Sequence, residues 1–158
     1  MQEETGGEAP CFAHLLQPDA QTRRDVARWR RAERARLIAA RQALPVAARR
    51  AADAELARRL DTELGELAGR TIAAYWPFRG EPDLRDWAGR ARGRGARLVL
   101  PVVVGTGRPL AFRLWQPGAT LERGVWDIPV PPATAPELRP DVLLVPVVGL
   151  DAARNRLG

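Results

Sequence analysis

The chain has 158 residues, a formal net charge of +6 and 25 basic residues, all of them arginine because lysine is absent. Serine is absent as well, so a Walker-type phosphate loop, lysine Schiff-base chemistry and a Ser-His-Asp triad are excluded. One cysteine and one histidine exclude an internal disulfide and leave too few soft donors for a zinc site.

The length and the 46% content of hydrophobic residues predict one domain with a real core. Residues 1–22 are polar with scattered glycine and proline, which predicts a flexible lead-in to a single domain at residues 23–158. The N-terminus opens acidic and lacks a basic region followed by an apolar stretch, so it does not resemble a secretory signal. No apolar run reaches the roughly 18 residues of a membrane span. We therefore expect a cytoplasmic protein without a membrane partner.

Two helices are predicted before the first strand. Asp25 is a candidate cap for a helix that begins near Val26 and ends at Pro45. The second helix should run over residues 46–67 and end at Gly69, with leucines spaced along one face. The segment 23–50 contains ten arginines and only two acidic residues. Such a segment suits phosphate groups of a nucleotide or nucleic acid, and it equally fits a solvated helix face.

After the second predicted helix, the sequence contains apolar segments typical of strands. Residues 71–76, 97–104 and 142–148 read as strands buried on both faces, and residues 110–115 alternate like an edge or half-exposed strand. A short helix is predicted between the first two. Helices that alternate with such strands predict an α/β fold with a largely parallel sheet, whose carboxyl edge is the usual place for a ligand.

Several blocks together carry a resemblance to a known family. The basic helix "RRAERARLIAARQALP" is followed by "AAYWPFRGEPDL", "LVLPVVV", "LAFRLWQPGATLERGVWDIPVPP" and "DVLLVPVVGLDAARNRLG". In this order they resemble 5-formyltetrahydrofolate cyclo-ligase from about Trp29 to the last residue. The resemblance implies a three-layer, Rossmann-like α/β sandwich with a mostly parallel sheet, of the NagB/RpiA/CoA-transferase-like type.

The resemblance also implies an activity and its cofactors. The family uses ATP and Mg²⁺ to convert 5-formyltetrahydrofolate to 5,10-methenyltetrahydrofolate, releasing ADP and phosphate through a phosphorylated formyl oxygen. No protein nucleophile is required, which agrees with a chain that lacks serine and lysine. No catalytic residue and no metal ligand is therefore assigned.

The family's ATP-binding positions fall on two parts of this chain. Arg30 and Arg34 match the basic residues of its first helix that touch the ATP phosphates, and residues four apart share a helix face. Arg156, Leu157 and Gly158 match the opening of its glycine- and tyrosine-rich loop, which wraps the phosphates.

The family's folate-binding positions fall on the "YWPFRGE" block. Trp76 matches an apolar residue on the pterin side of the pocket, although ordinary core packing is commoner for tryptophan. Glu81 matches the carboxylate that binds the substrate. Asp151 matches the acidic residue before the glycine-rich loop, and we expect a structural role for it.

The resemblance further predicts a domain that is incomplete at its C-terminus, because the family normally continues beyond "RLG". On this reading the chain alone has little or no activity. Two alternatives stay open: a non-catalytic remnant that binds folate or nucleotide, and an arginine-rich module that binds nucleic acid. The favoured reading has 5-formyltetrahydrofolate and ATP as partners, no nucleic acid, and a monomeric chain.

Overall fold

The computed structural model describes residues 19–157, and its centre is a four-stranded sheet in the order β3-β2-β1-β6. The elements are α1 (Ala20–Gln42), α2 (Val46–Leu64), β1 (Thr71–Ala73), α3 (Arg85–Gly93), β2 (Arg97–Val102), β3 (Ala111–Trp115), β4 (Glu122–Arg123), β5 (Pro129–Val130), β6 (Val142–Leu143), β7 (Gly149–Leu150) and β8 (Arg156–Leu157). Strand β1 runs parallel to β2 and β6, while β3 pairs antiparallel with β2. The predicted α/β class with a mostly parallel sheet is confirmed, and so is the edge position of β3.

The first helix begins earlier than the sequence predicts. Its cap is Asp19, whose carboxylate accepts a hydrogen bond from the Thr22 amide at 2.7 Å, and not Asp25. Asp25 lies inside the helix and pairs with Arg28 on the surface. Residues 20–22, predicted to be part of a flexible lead-in, are therefore helical, and residues 1–18 of that segment lie outside the described residues.

The second helix ends sooner than predicted. Gly65 adopts a φ of +59°, which stops α2 at Leu64, so Gly69 is not the helix terminator. The leucine stripe of α2 still packs on the core, and Leu67 is fully buried although it lies beyond the helix. The strands are also shorter than predicted, because an apolar run marks burial and not the length of the hydrogen-bonded ladder.

Helices α2 and α3 cover one face of the sheet. Ala57, Trp87 and Ala91 pack there against Ile72 and Leu98 in one buried cluster. The next residues of the strands, among which are Ala73 and Pro101, alternate to the opposite face. None of the helices formed by residues 19–157 is long and apolar enough to cross a membrane.

The start of the parallel pair β1–β6 is fixed by a reciprocal hydrogen bond. The Thr71 amide donates to the Asp141 carboxylate at 2.7 Å, and the Asp141 amide donates to the Thr71 carbonyl at 2.8 Å. Because Thr71 is buried, its N–H cannot donate to solvent water if the Asp141 carboxylate is removed.

We predict that Asp141→Ala lowers the free energy of unfolding by about 1–3 kcal/mol, since it leaves the buried Thr71 amide unpaired. Glu122→Ala is the matched control, because this exposed carboxylate has no comparable partner among the described residues, and it should change stability by less than about 0.5 kcal/mol. Urea denaturation followed by circular dichroism measures both, and equal stabilities of the two variants would contradict the assignment.

Candidate functional site

A cavity of about 380 Å³ opens at the carboxyl ends of the parallel strands β1, β2 and β6. This is the edge at which open α/β sheets bind their ligands. Its walls are mostly apolar and aromatic, with one carboxylate, that of Glu81. Residues from all three strand ends and from the segment 124–130 contribute to the walls, among them Ala74, Tyr75, Trp76, Val102, Trp126 and Leu144. A largely apolar cavity with few polar groups is typical of a site for a planar organic ligand.

Glu81 enters the cavity from a tight turn. The Glu81 amide donates to the Phe78 carbonyl at 3.1 Å, and the Phe78 amide donates to Glu81 Oε2 at 3.0 Å. The central residues Arg79 and Gly80 have φ angles of +48° and +76°, the pattern of a type I′ turn. Glycine adopts this conformation freely, but a left-handed arginine costs roughly 1–2 kcal/mol.

Side chains from three elements hold the loop that contains this turn. Tyr75, just after β1, donates its hydroxyl to the Pro82 carbonyl at 2.8 Å. Asp53 of α2 accepts a hydrogen bond from the Asp83 amide at 3.1 Å. Arg41 of α1 donates from Nε to the Arg79 carbonyl at 3.1 Å. The position of Glu81 therefore depends on residues that are distant in sequence.

Trp76 has two roles in the structure. It lines the cavity, as the resemblance implies, and it also packs against the core, with its ring 6.1 Å from that of Trp115. The guanidinium of Arg85 lies 5.1 Å from the Trp76 ring centre and pairs with Asp83. The hydrogen bond from Arg85 lowers the pKa of the Asp83 carboxyl. A ligand therefore meets a tryptophan whose ring is already held in place.

Trp126 is a cavity residue that the sequence analysis missed. It lines the cavity, yet it is 78% exposed and has a φ of +57°. A tryptophan in a left-handed backbone conformation with so much exposed ring is unusual, and such strain concentrates at ligand sites. The sequence feature that could have indicated a ligand-binding role for Trp126 is its position in the block "GVWDIPVPP", which lies outside any predicted strand.

Arg30 and Arg34 do not line the cavity that contains Glu81. Both are exposed on α1, a helix without a buried residue. They share a helix face with Leu37 and Arg41, which contact the body of the domain, Leu37 at Gly149 and Arg41 at the turn of Glu81. The two arginines thus lie on the face of α1 that includes Leu37 and Arg41, and the structure does not bring them into one cavity with Glu81.

The predicted phosphate-binding residues near the end of the chain form a hairpin strand. Arg156 is exposed and Leu157 is half-buried in β8, which pairs with β7, while Gly158 lies outside the described residues. A Cβ on Gly149 would lie 2.8 Å from Leu37, so the Gly149–Leu157 side of the hairpin faces α1. Arg156 belongs to the other side of the hairpin.

Asp151 closes the turn between β7 and β8. Its two carboxylate oxygens accept hydrogen bonds from the backbone and side-chain nitrogens of Asn155, at 2.8 and 2.9 Å. The side-chain hydrogen bond from Asn155 lowers the pKa of this carboxyl. Among residues 19–157 no group of three acidic, histidine or cysteine side chains could hold a metal ion.

Most of the chain, residues 26–158, matches the model of the 5-formyltetrahydrofolate cyclo-ligase family. The chain belongs to this family. A Mycolicibacterium smegmatis protein named 5-formyltetrahydrofolate cyclo-ligase is 33% identical to it over 100 residues, which is 59% of this chain and 52% of that protein. The chain thus spans about half the length of this curated relative.

Two solved structures share the fold of this family member. The NMR structure of Aquifex aeolicus 5,10-methenyltetrahydrofolate synthetase has a TM-score of 0.68 and 23% identity, over 82% of this chain and 66% of that one. A 5,10-methenyltetrahydrofolate synthetase from Mycoplasma pneumoniae has a TM-score of 0.62 and 20% identity, over 82% of this chain and 70% of that one. At these identities the likeness establishes the fold alone.

The environment of Tyr75 makes a prediction that is easy to measure, because it is the chain's single tyrosine. Burial, reinforced by the negative charge of Glu81, raises the pKa of the phenol well above its ordinary value near 10. The folded chain should therefore show no phenolate absorbance at the pH where the guanidinium-unfolded chain titrates.

The same shift gives a sign for stability. The raised pKa of Tyr75 stabilises the folded state fully at any pH below the unfolded-state pKa near 10. This stabilisation is lost as the pH rises from there towards the higher folded-state pKa. A phenolate signal near pH 10 in a chain that is still folded would contradict the buried hydrogen bond to Pro82.

Proposed function

We propose that this chain binds 5-formyltetrahydrofolate in the cavity beside Glu81 and converts it, with ATP, to 5,10-methenyltetrahydrofolate. The formyl oxygen attacks the γ-phosphorus of ATP, and ADP leaves. The second folate nitrogen then attacks the activated formyl carbon and loses its proton to water, and phosphate departs with the former formyl oxygen. Such a sequence depends on placement and charge stabilisation and needs no protein nucleophile.

The observation that carries this proposal is the unequal use of the two Glu81 oxygens. Oε2 accepts the Phe78 amide within the turn. Oε1 accepts no hydrogen bond from the described residues, and its nearest cation, Arg41 Nη2, lies 4.0 Å away. A carboxylate oxygen of this kind, on the wall of an apolar cavity, can accept the N–H groups of an aminopyrimidine ring. The aromatic walls suit the flat pterin.

For the phosphates we propose the arginines of α1. Arg30 and Arg34 are exposed on the helix face that includes Leu37 and Arg41, and guanidinium groups there can neutralise a triphosphate. Arg156, Leu157 and Gly158, which match the family's phosphate-binding loop in sequence, are proposed to contribute as well. Mg²⁺ would accompany ATP, neutralising phosphate charge, and no step in this proposal is routed through it. Residues 19–157 offer the phosphates arginines but no glycine-rich loop. We therefore expect the 158-residue chain to bind the folate and to convert it only slowly.

Glu81→Gln is expected to weaken 5-formyltetrahydrofolate binding by about 10- to 100-fold, the range for a lost charge-assisted hydrogen bond. Glutamine keeps the size and the acceptor that the Phe78 amide needs, so the fold should persist. Isothermal titration calorimetry measures binding, and the absorbance of methenyltetrahydrofolate with and without ATP measures turnover. Glu122→Gln is the matched control. Equal folate affinity in Glu81→Gln and the wild type would refute the site.

Arg34→Met is expected to raise KM for ATP about tenfold while leaving the dissociation constant for 5-formyltetrahydrofolate unchanged, because the residue lies outside the cavity. Arg36→Met is the control, since Arg36 is exposed on the same helix, pairs with Glu33 and lies about 160° from Arg34 around the helix axis. If turnover is too slow for kinetics, the affinity for a non-hydrolysable ATP analogue replaces KM. Equal effects of the two substitutions would argue against a specific phosphate site on α1.

These measurements also separate the two alternatives. Folate binding without any turnover would identify a non-catalytic binding protein. Salt-dependent binding of nucleic acid, with no response to folate or ATP, would favour the arginine-rich module, for which the exposed Arg30, Arg31 and Arg34 are the supporting observation.

A further inference from the structure

Arg41 has a position that the proposed reaction does not explain. It lies in the last turn of α1, and its side chain is only 18% exposed although no residue of this helix is fully buried. It does not line the cavity itself. Its contacts lie instead with the turn that carries Glu81.

The guanidinium of Arg41 makes two different contacts with that turn. Nε donates to the Arg79 carbonyl at 3.1 Å, and Nη2 lies 4.0 Å from Glu81 Oε1, whose side chain is 17% exposed. The end of α1 also lies directly against the turn, since a Cβ on Gly80 would be 3.5 Å from Gln42. A pair this sheltered is screened less by salt than an ordinary surface pair.

The turn needs an external contact of this kind. Arg79 is a non-glycine residue with a φ of +48°, and such residues persist only where the surroundings hold them. The hydrogen bond from Arg41 holds the carbonyl of that residue. Without it the turn can relax to an ordinary conformation, which would move the Glu81 carboxylate relative to the cavity.

We propose that Arg41 is a positioning residue, which holds the left-handed turn at Arg79 so that Oε1 of Glu81 points to the pterin in the cavity. The proposal rests on the proposed function and adds a residue of α1 to the folate site. Arg41 acts on the ligand through Glu81 and does not touch it. Lysine cannot replace it fully, because one ammonium group lacks the planar fork that serves a carbonyl and a carboxylate together.

The test uses the full chain and calorimetric titration with 5-formyltetrahydrofolate. Arg41→Met should weaken binding about tenfold, as loss of one charged hydrogen bond does, and Arg41→Lys should weaken it less. Arg31→Met is the control and should bind like the wild type. In kinetics, Arg41→Met should raise KM for the folate and leave KM for ATP unchanged.

The decisive variant is the double substitution Arg41→Met with Arg79→Gly. Glycine adopts the left-handed conformation without strain, so it should restore most of the lost affinity if Arg41 acts through the turn. Wild-type affinity in Arg41→Met would overturn the proposal. So would a loss that Arg79→Gly fails to restore, because Arg41 would then act by another route.

Amide hydrogen exchange of the ligand-free chain supplies a second readout that does not depend on folate. Arg41→Lys should speed exchange at Phe78 and Glu81, whose amides are hydrogen-bonded within the turn, and leave Ala88 in α3 unchanged as an internal reference. Unchanged exchange at both turn amides would overturn the proposal, even if Arg41→Met does not fold. A wild-type chain that binds no folate would refute the proposed function alone, because exchange still tests the turn.

Discussion

The contact between the end of α1 and the turn Phe78–Glu81 determines how the two parts of the candidate site relate to each other. Helix α1 buries no residue of its own, so its place on the domain depends on a few contacts, chiefly Leu37 at Gly149 and Arg41 at Arg79. At 3.6 residues per turn, Arg30, Arg34, Leu37 and Arg41 fall within about 60° of one another around the helix axis. The contacts that orient the Glu81 carboxylate therefore also orient the arginines proposed to bind phosphate.

The arginine-only composition has a structural use at this contact. A guanidinium can donate from Nε to a carbonyl while Nη2 faces a carboxylate, and Arg41 does both across one turn. A lysine offers one point charge on a flexible stem. Some other arginines form only exposed pairs, such as Arg28–Asp25, which contribute little to stability.

Local pattern predicted the sheet, while the family resemblance supplied two residues of the candidate site. The continuous apolar run at 97–104 predicted a central strand, and the alternation at 110–115 predicted an edge strand. Both predictions work because the pattern of apolar residues shows whether one or both faces of a strand are buried. Trp76 and Glu81 came together in one cavity because a short loop after a parallel strand keeps both at the carboxyl edge. The helix boundaries were missed because Asp19 and Gly65 compete with equally plausible neighbours, Asp25 and Gly69.

The other part of the site could not be read from local pattern, because it depends on contacts between distant residues. Arg41 is one of ten arginines in residues 23–50, and nothing in its neighbours marks it as the one that reaches the loop. Trp126 likewise enters the cavity only because the chain between β4 and β5 folds back over the strand ends.

The three anchors of the loop come from α1, α2 and the end of β1, and together they decide whether Glu81 is ready before the ligand arrives. The Tyr75 phenol is neutral throughout the physiological range, as its ordinary pKa near 10 already ensures, so it can donate its hydrogen bond to Pro82 there. Asp53 and Arg41 hold backbone groups on the two sides of Glu81. A carboxylate fixed in this way loses little conformational entropy when a ligand binds, so the affinity for the ligand is higher. The strain of Arg79 is thus compensated by contacts that already exist in the free protein, so that one oxygen of Glu81 is held by the turn and the other stays available to the proposed ligand.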